Sequence, residues 1–300
     1  MNPPSEPPLV SVIMPAHGMG PYIGEALESV AAQTHPGWEV VVVEDHGPED
    51  GTEAIVRDFA GRHPGKRVEF VRHPENKGVS AARNTAIAAA RGEFLAFLDP
   101  DDIWFPTHLR DLTTILRDGD GASVAVSPVE VFQEVDGKRT TLPGKDPTWL
   151  VRRFPRSLSI RNFIQPSSTV VKRDAVLALG GFDTDPGLQH IEDYDLWIRL
   201  VEAGHRFVFH PARTSGYRQH GNAATADPGR MAQRLERLHG KHPRFFREGR
   251  EWMVAFLAEE LHTTEERMKK RLDRKFGGPL LRTLLRLDAF LGRLSGGRPG

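Results

Sequence analysis

The chain reads as an α/β protein with a mainly parallel sheet flanked by helices. Three observations lead there. Short apolar runs rich in β-branched residues recur four times in the first 120 residues. Each is followed by a stretch with helical spacing. The runs are nearly continuous rather than alternating, as in strands covered on both faces.

In order, Leu9 to Met14 predicts the first strand and Tyr22 to Ala32 the first helix, with Ile23, Ala26, Leu27 and Val30 on one stripe. Trp38 to Val43 and Thr52 to Ala60 repeat the pair. Val68 to Val71 and Val79 to Ala90 form the third, and Phe94 to Leu98 with Pro106 to Arg117 the fourth. In such sheets ligands bind beyond the carboxyl ends of the strands. After about residue 120 the alternation stops and a mixed half begins. Ala122 to Val135 and Lys138 to Leu142 flank the hairpin signal Asp136-Gly137. Ser168 to Val171, Phe207 to Phe209 and Thr214 to Arg218 read as strands, and Ile191 to Ala203 as a helix. The expected division is a domain over 1–225, made of halves 9–120 and 121–225, followed by a helical C-terminal extension over 226–300.

Composition narrows the function. Hydrophobic and charged shares of 39% and 27% are those of a soluble globular protein, and zero formal net charge argues against a nucleic-acid partner. The absence of cysteine excludes disulfides, thiolate zinc sites and a cysteine nucleophile. The opening MNPPSEPP has no signal-peptide blocks, and no apolar run approaches the roughly 20 residues of a membrane span. The expectation is a cytoplasmic protein, at most touching the inner face of the cell membrane. The C-terminal stretch is arginine-rich. Leu280 to Leu294 interleaves leucines with Arg282, Arg286 and Arg293, which suits either a basic helix on a membrane surface or one packed on protein.

Three features sit badly with a purely structural role. The fourth strand runs into Asp99-Pro100-Asp101-Asp102. Like charges about 4 Å apart repel by roughly 4 kcal/mol at an effective dielectric near 20, so the cluster wants open water or a cation. Oxygen ligands of this kind suit Mg²⁺ or Mn²⁺, which bind one or two carboxylates plus substrate phosphates. The alternative is an acidic loop capping the helix that starts near Pro106. Next, Arg83 lies on the apolar stripe of the third helix and needs an anion, either a carboxylate or a phosphate. Asn76-Lys77-Gly78 before it reads as a tight turn that leaves helix N–H groups facing a ligand. Third, Asp193 continues the stripe of Leu196, Trp197 and Leu200, as an inward cap or a general base. Asp195 and Arg199, four apart, read as a solvated salt bridge.

These features follow the order of a known pattern. Val10-Ser-Val-Ile-Met-Pro15-Ala-His17, Asp50-Gly51-Thr52, Ala82-Arg83-Asn84, Phe97-Leu-Asp99-Pro-Asp101-Asp102, Gly180-Gly-Phe-Asp183, Glu192-Asp193-Tyr-Asp195-Leu-Trp197 and Tyr217-Arg218-Gln-His220 succeed one another. In this the chain resembles the inverting glycosyltransferases of family 2, which have the GT-A fold, over about residues 9 to 222. The resemblance implies transfer of a sugar from a nucleoside-diphosphate sugar, usually a UDP-sugar, to a saccharide or lipid-linked acceptor, with Mn²⁺ or Mg²⁺. It implies that Pro15, Ala16 and His17 line the nucleotide pocket, with Glu44, Asn76, Gly78 and Pro100 beside it. Asp45 would bind the base, Arg83 base or phosphate, and Asp99 and Asp101 the metal. Asp193 would deprotonate the acceptor. His220 would assist the metal or diphosphate, or else is a surface residue. Trp104, Gln165 and Glu192 are candidates for the acceptor side.

The chain departs from the family pattern at Gly18, at Glu44-Asp45-His46 and at Gly47-Pro48-Glu49, all at the nucleotide end. A nucleotide-sugar-binding protein without turnover, serving polysaccharide assembly, is the competing expectation. A dinucleotide enzyme is not, because Pro-Ala-His-Gly-Met-Gly after the first strand lacks the Gly-x-Gly-x-x-Gly spacing.

Overall fold

The computed structural model describes residues 7–119, 121–144, 146–220 and 228–276. The first half alternates as expected: β1 (Val10–Ala16), α1 (Gly20–Ala31), β2 (Trp38–Glu44), α2 (Thr52–Arg62), β3 (Val68–Arg72), α3 (Val79–Ala89) and β4 (Phe94–Phe97). Then come β5 (Ile103–Trp104), α4 (His108–Asp118), β6 (Ala122–Val126), β7 (Val129–Val135), β8 (Lys138–Thr141), α5 (Thr148–Val151) and β9 (Thr169–Lys172). The rest is α6 (Arg173–Ala178), α7 (Glu192–Glu202), β10 (Arg206–Phe209), β11 (Ser215–Arg218), α8 (Pro228–Lys241) and α9 (Pro243–Phe276).

The seven-stranded sheet has the order β10-β6-β9-β4-β1-β2-β3, and β5-β11-β7-β8 form a second sheet. In the large sheet β9 runs antiparallel to both its neighbours, and the other pairs are parallel. Strand side chains alternate between faces, so each strand feeds two cores. Val10, Val12 and Met14 join Ile23, Leu27, Val40, Val42 and Phe59 on one side. Ile13, Val41 and Val43 join Ala82, Ile87, Trp197 and Leu200 on the other. Each buried aliphatic side chain contributes about 1.5–3 kcal/mol.

The run Ala122 to Val135 is not one strand. It breaks at Ser127-Pro128, where proline supplies no ladder donor, so β6 stays in the large sheet and β7 enters the small one. The hairpin at Asp136-Gly137 forms with both residues left-handed, φ 51 and 71. The chain divides into two compact units, one reaching Phe246 and the other starting at Arg247. Leu238 of α8 and Phe246 belong to the first unit's core. The basic pattern over Leu280 to Leu294 lies outside the described residues. Among those described, no helix is long and apolar enough to cross a membrane.

Candidate active site at the strand ends

β1, β2 and β4 run parallel, so the loops after Ala16, Glu44 and Phe97 open at one edge. Asp45, buried just past β2, organises the first of these surroundings. Its Oδ1 accepts the Lys77 N–H at 2.9 Å and faces His73 Nδ1 at 2.7 Å, and its Oδ2 accepts the Gly78 N–H at 2.7 Å. His73 Nε2 in turn lies 2.9 Å from Thr85 Oγ1, so one chain of bonds ties β2, β3 and α3. Gly78 has φ 86, a conformation few side chains tolerate, which lets both amides point at the one carboxylate. The expectation that the Asn76-Lys77-Gly78 turn offers these N–H groups to a ligand is therefore corrected, because Asp45 holds them. Glu44 faces away. Its Oε1 accepts the Gly47 N–H at 2.5 Å and its Oε2 is 3.1 Å from Arg72 Nε. Pro15 and Ala16 are buried within β1. His17 is exposed, with Nδ1 3.1 Å from the Asp45 carbonyl oxygen and 3.4 Å from Asn76 Nδ2, and forms an open lip.

Arg83 is the hub. It is 3% exposed, and its anions are carboxylates: Glu192 Oε1 at 2.5 Å and Asp99 Oδ1 at 2.7 Å. The Phe182 ring lies 5.1 Å beneath the guanidinium carbon. Burial works against its charge, and the charges of Asp99 and Glu192 outweigh burial and raise its pKa. Glu192, expected on the acceptor side, is 5% exposed and committed to Arg83. Arg83 Nε and Glu192 Oε2 are left buried without a hydrogen-bond partner.

The aspartate loop is held from two sides. Asp99 N–H donates to Ser167 Oγ at 3.1 Å, and Asp102 Oδ1 accepts the Arg218 N–H at 2.9 Å. Pro100 is buried between these anchors. None of the aspartates caps α4, whose N-cap Thr107 has no side-chain cap bond, so the capping alternative falls away. Arg218 donates through Nε to the Asp101 carbonyl at 2.9 Å, pairs with Glu134 at 2.7 Å and with Glu25, and lies against the Phe132 and Tyr22 rings. His220 Nε2 is 3.0 Å from Asp101 Oδ2, and its ring stacks on Tyr22. It is a partner of the loop, not a lone surface residue.

Burial first, then the charge of Asp99, raises the Asp101 pKa against the pull of His220. Burial and the charges of Asp101 and Asp99 push Asp102 well above the usual carboxylate range. This uncompensated negative charge is what a divalent cation would relieve. Among the described residues no three His, Asp or Glu groups form a ready cage, because Asp99 is turned to Arg83. Asp101 and His220 remain, and they fit an ion that completes its shell with substrate phosphates.

Asp193 stands at the first turn of α7, whose N-cap is Ile191, so it is not a cap. Its Oδ2 accepts from Asn162 Nδ2 at 2.8 Å and its Oδ1 from the Tyr194 N–H at 2.8 Å. Burial, then the neighbouring charge of Glu192, pushes its pKa up to about 7, with Arg83 and the two hydrogen bonds acting against them. Asp195, expected as half of a solvated pair, is fully buried. It is held by Arg199 at 2.7 Å, Lys241 at 2.6 Å and His242 at 2.9 Å, because α8 and the start of α9 cover this face of α7.

Asp99, Arg83, Glu192 and Asp193 thus form one contiguous patch, flanked by Asp101–His220. Asp45 connects to it through the turn that starts α3. Trp104, expected on the acceptor side, is packed inside the protein. It is 3% exposed, donates from Nε1 to the Ser167 carbonyl at 2.7 Å and stacks on His108. Gln165 is half-buried and its carbonyl caps the turn at Ser168. Sequence reasoning missed Asn162 and His73. Nothing in the local pattern marks them, because their partners lie 31 and 28 residues away.

A mainly parallel sheet flanked by helices, with an acidic loop after the fourth strand joined through Arg83 to the start of α7, is the architecture of a GT-A fold. The model of the family described as glycosyl transferase family 2 matches residues 11–177, and the chain belongs to that family. Glycosyltransferase AglE of Haloferax volcanii is 32% identical over 222 residues, covering 70% of this chain and 69% of that one. The Escherichia coli UDP-Glc:alpha-D-GlcNAc-diphosphoundecaprenol beta-1,3-glucosyltransferase WfgD is 39% identical over 101 residues, 34% of this chain and 38% of its own length. Among solved structures, the Pyrobaculum calidifontis mannosyltransferase PcManGT in complex with GDP-Man and Mn²⁺ superposes with TM-score 0.64 at 24% identity, covering 96% of this chain and 81% of that one. S. aureus TarS 1–349 in complex with UDP gives 0.59 at 20%, covering 77% and 64%.

Proposed function

We propose that the chain moves a sugar from a nucleoside-diphosphate donor, a UDP-sugar, to an acceptor hydroxyl with inversion, in polysaccharide or glycolipid assembly. Residues 9–120 hold the donor and 121–225 build the acceptor side. The observation that carries this reading is Asp193. It is a carboxylate with a pKa of about 7, next in sequence to Glu192 and under the charge of Arg83, whose ion pairs with Glu192 and Asp99 reach the aspartate loop. A base poised near the working pH contributes typically 10²–10⁴-fold. The UDP and GDP-Man bound by the structural neighbours, and the glycolipid acceptor in the name of WfgD, support the substrate class.

Asp193 takes the proton of the acceptor hydroxyl as the acceptor oxygen bonds the anomeric carbon. The bond from that carbon to the diphosphate oxygen breaks, and the nucleoside diphosphate leaves with the electron pair. Attack comes from the face opposite the leaving group, so one displacement inverts the configuration. Arg83 keeps Asp99 and Glu192 fixed, and Arg218 fixes the Asp101 backbone. Mn²⁺ or Mg²⁺ on Asp101 and His220, with Asp99 nearby, would neutralise charge on the departing diphosphate.

The test is Asp193→Asn. Transfer should fall at least a hundredfold while UDP binding, read by thermal shift with Mn²⁺, stays within twofold. Wild-type turnover in this variant would remove Asp193 from the mechanism.

A further inference from the structure

The segment that delivers Asn162 to Asp193 has a character of its own. Between Asp146 and Asp174 the chain has no aspartate or glutamate, yet it carries Arg152, Arg153, Arg156 and Arg161. The molecule as a whole is neutral, so this positive stretch is a local feature. Its inner side chains are anchored. Leu150 and Leu158 are buried, and the Phe154 and Phe163 rings pack against Phe209 at 5.1 and 6.0 Å. The Tyr194 hydroxyl donates to the Leu158 carbonyl, and Trp197 Nε1 donates to the Ile164 carbonyl at 3.1 Å, which staples the segment to α7.

Arg152, Arg156 and Arg161 of this segment are exposed, and Trp149 and Ile160 of the same segment keep 38% and 43% exposure. Arg153 lies over the Trp149 ring at 4.5 Å. Exposed guanidinium groups on one segment with a part-exposed indole and an aliphatic side chain match a ligand that has an anionic head and an apolar tail. Its position selects which such ligand. Arg161 immediately precedes Asn162, whose amide is 2.8 Å from Asp193, and the Leu158 carbonyl accepts from the Tyr194 hydroxyl, so this segment is tied to the start of the helix that carries the base.

We propose that the Arg152–Arg161 segment receives the phosphate-bearing end of a lipid-linked acceptor, holding its headgroup so that the sugar hydroxyl reaches Asp193. This rests on the acceptor-side reading of Asp193 but predicts a binding site that needs no turnover.

The probe is geranyl diphosphate, a soluble molecule with the required head and tail. The readout is the indole N–H resonance of Trp149 in the full chain, identified by its loss in Trp149→Phe. Dihexanoylphosphatidylglycerol and dihexanoylphosphatidylcholine are the comparison probes. Geranyl diphosphate should shift the Trp149 resonance saturably, and Arg156→Glu with Arg161→Glu should weaken it at least tenfold, since each arginine near an anionic headgroup is worth about fivefold. The UDP-dependent thermal shift with Mn²⁺ reports that the charge-reversed variant is folded.

No shift with geranyl diphosphate, or equal affinity in the charge-reversed variant, would overturn the proposal. A shift with phosphatidylglycerol alone would also overturn it, in favour of contact with bulk bilayer. An Asp193→Asn variant that still turns over would sink the base assignment but leave this binding result intact.

Discussion

The raised pKa of Asp193 makes a rate prediction that few other assignments share. With UDP-sugar hydrolysis as the assay and water as the acceptor, the rate follows the ionised fraction of the base. A carboxyl near pH 7 is about 10% ionised at pH 6 and about 90% at pH 8, so kcat should rise roughly ninefold across that interval and then level. At the ordinary aspartate value of about 3.9 the rate would be flat over the same range. The elevation comes from burial first and from Glu192 second. Glu192→Gln removes that neighbouring negative charge and should move the rising limb to lower pH. Nucleotide affinity measured at each pH separates this limb from titration of Asp101, whose pKa is also raised. A flat profile between pH 5.5 and 8.5 in the wild type, with the donor saturating, would refute the reasoning.

Other predictions bear on the metal loop and on stability. Asp101→Ala should lower UDP affinity at least tenfold with Mn²⁺ and little without it, by calorimetric titration. Equal losses under both conditions would count against Asp101 and His220 as the ion's protein ligands. Asp195 is held down to about 2: burial acts to raise it, but His242, Lys241 and Arg199 prevail. A depressed carboxylate stabilises the fold above its unfolded pKa near 4, and that contribution is lost as pH falls through 2. A shift of about two units is worth roughly 2.5 kcal/mol, so urea denaturation of Asp195→Asn at pH 7 should show a deficit of about 2–4 kcal/mol that narrows in acid. Unchanged stability at pH 7 would show that the pairs around Asp195 only offset its desolvation. Gly20→Ala would place a Cβ 2.1 Å from the Asp50 carbonyl oxygen, where Asp50 also accepts the Gly20 N–H at 2.6 Å. It should cost about 1–3 kcal/mol in chemical denaturation.

The sequence by itself determined the α/β alternation, because strands buried on both faces must be apolar throughout and helices must carry a stripe. For the same reason it exposed Arg83 and Asp193, polar groups on apolar stripes that could only be explained by partners elsewhere. It did not reveal who those partners are. Arg83 could equally have met a phosphate, Asp195 could equally have faced water, and Trp104 could have met an acceptor. The protein partners each of them has come from far along the chain: Glu192 onto Arg83, His242 onto Asp195 and Ser167 onto Trp104. Local spacing encodes which face a side chain takes. What lies opposite that face depends on how sheet order and crossovers pack distant segments together, and no short stretch of sequence carries that information.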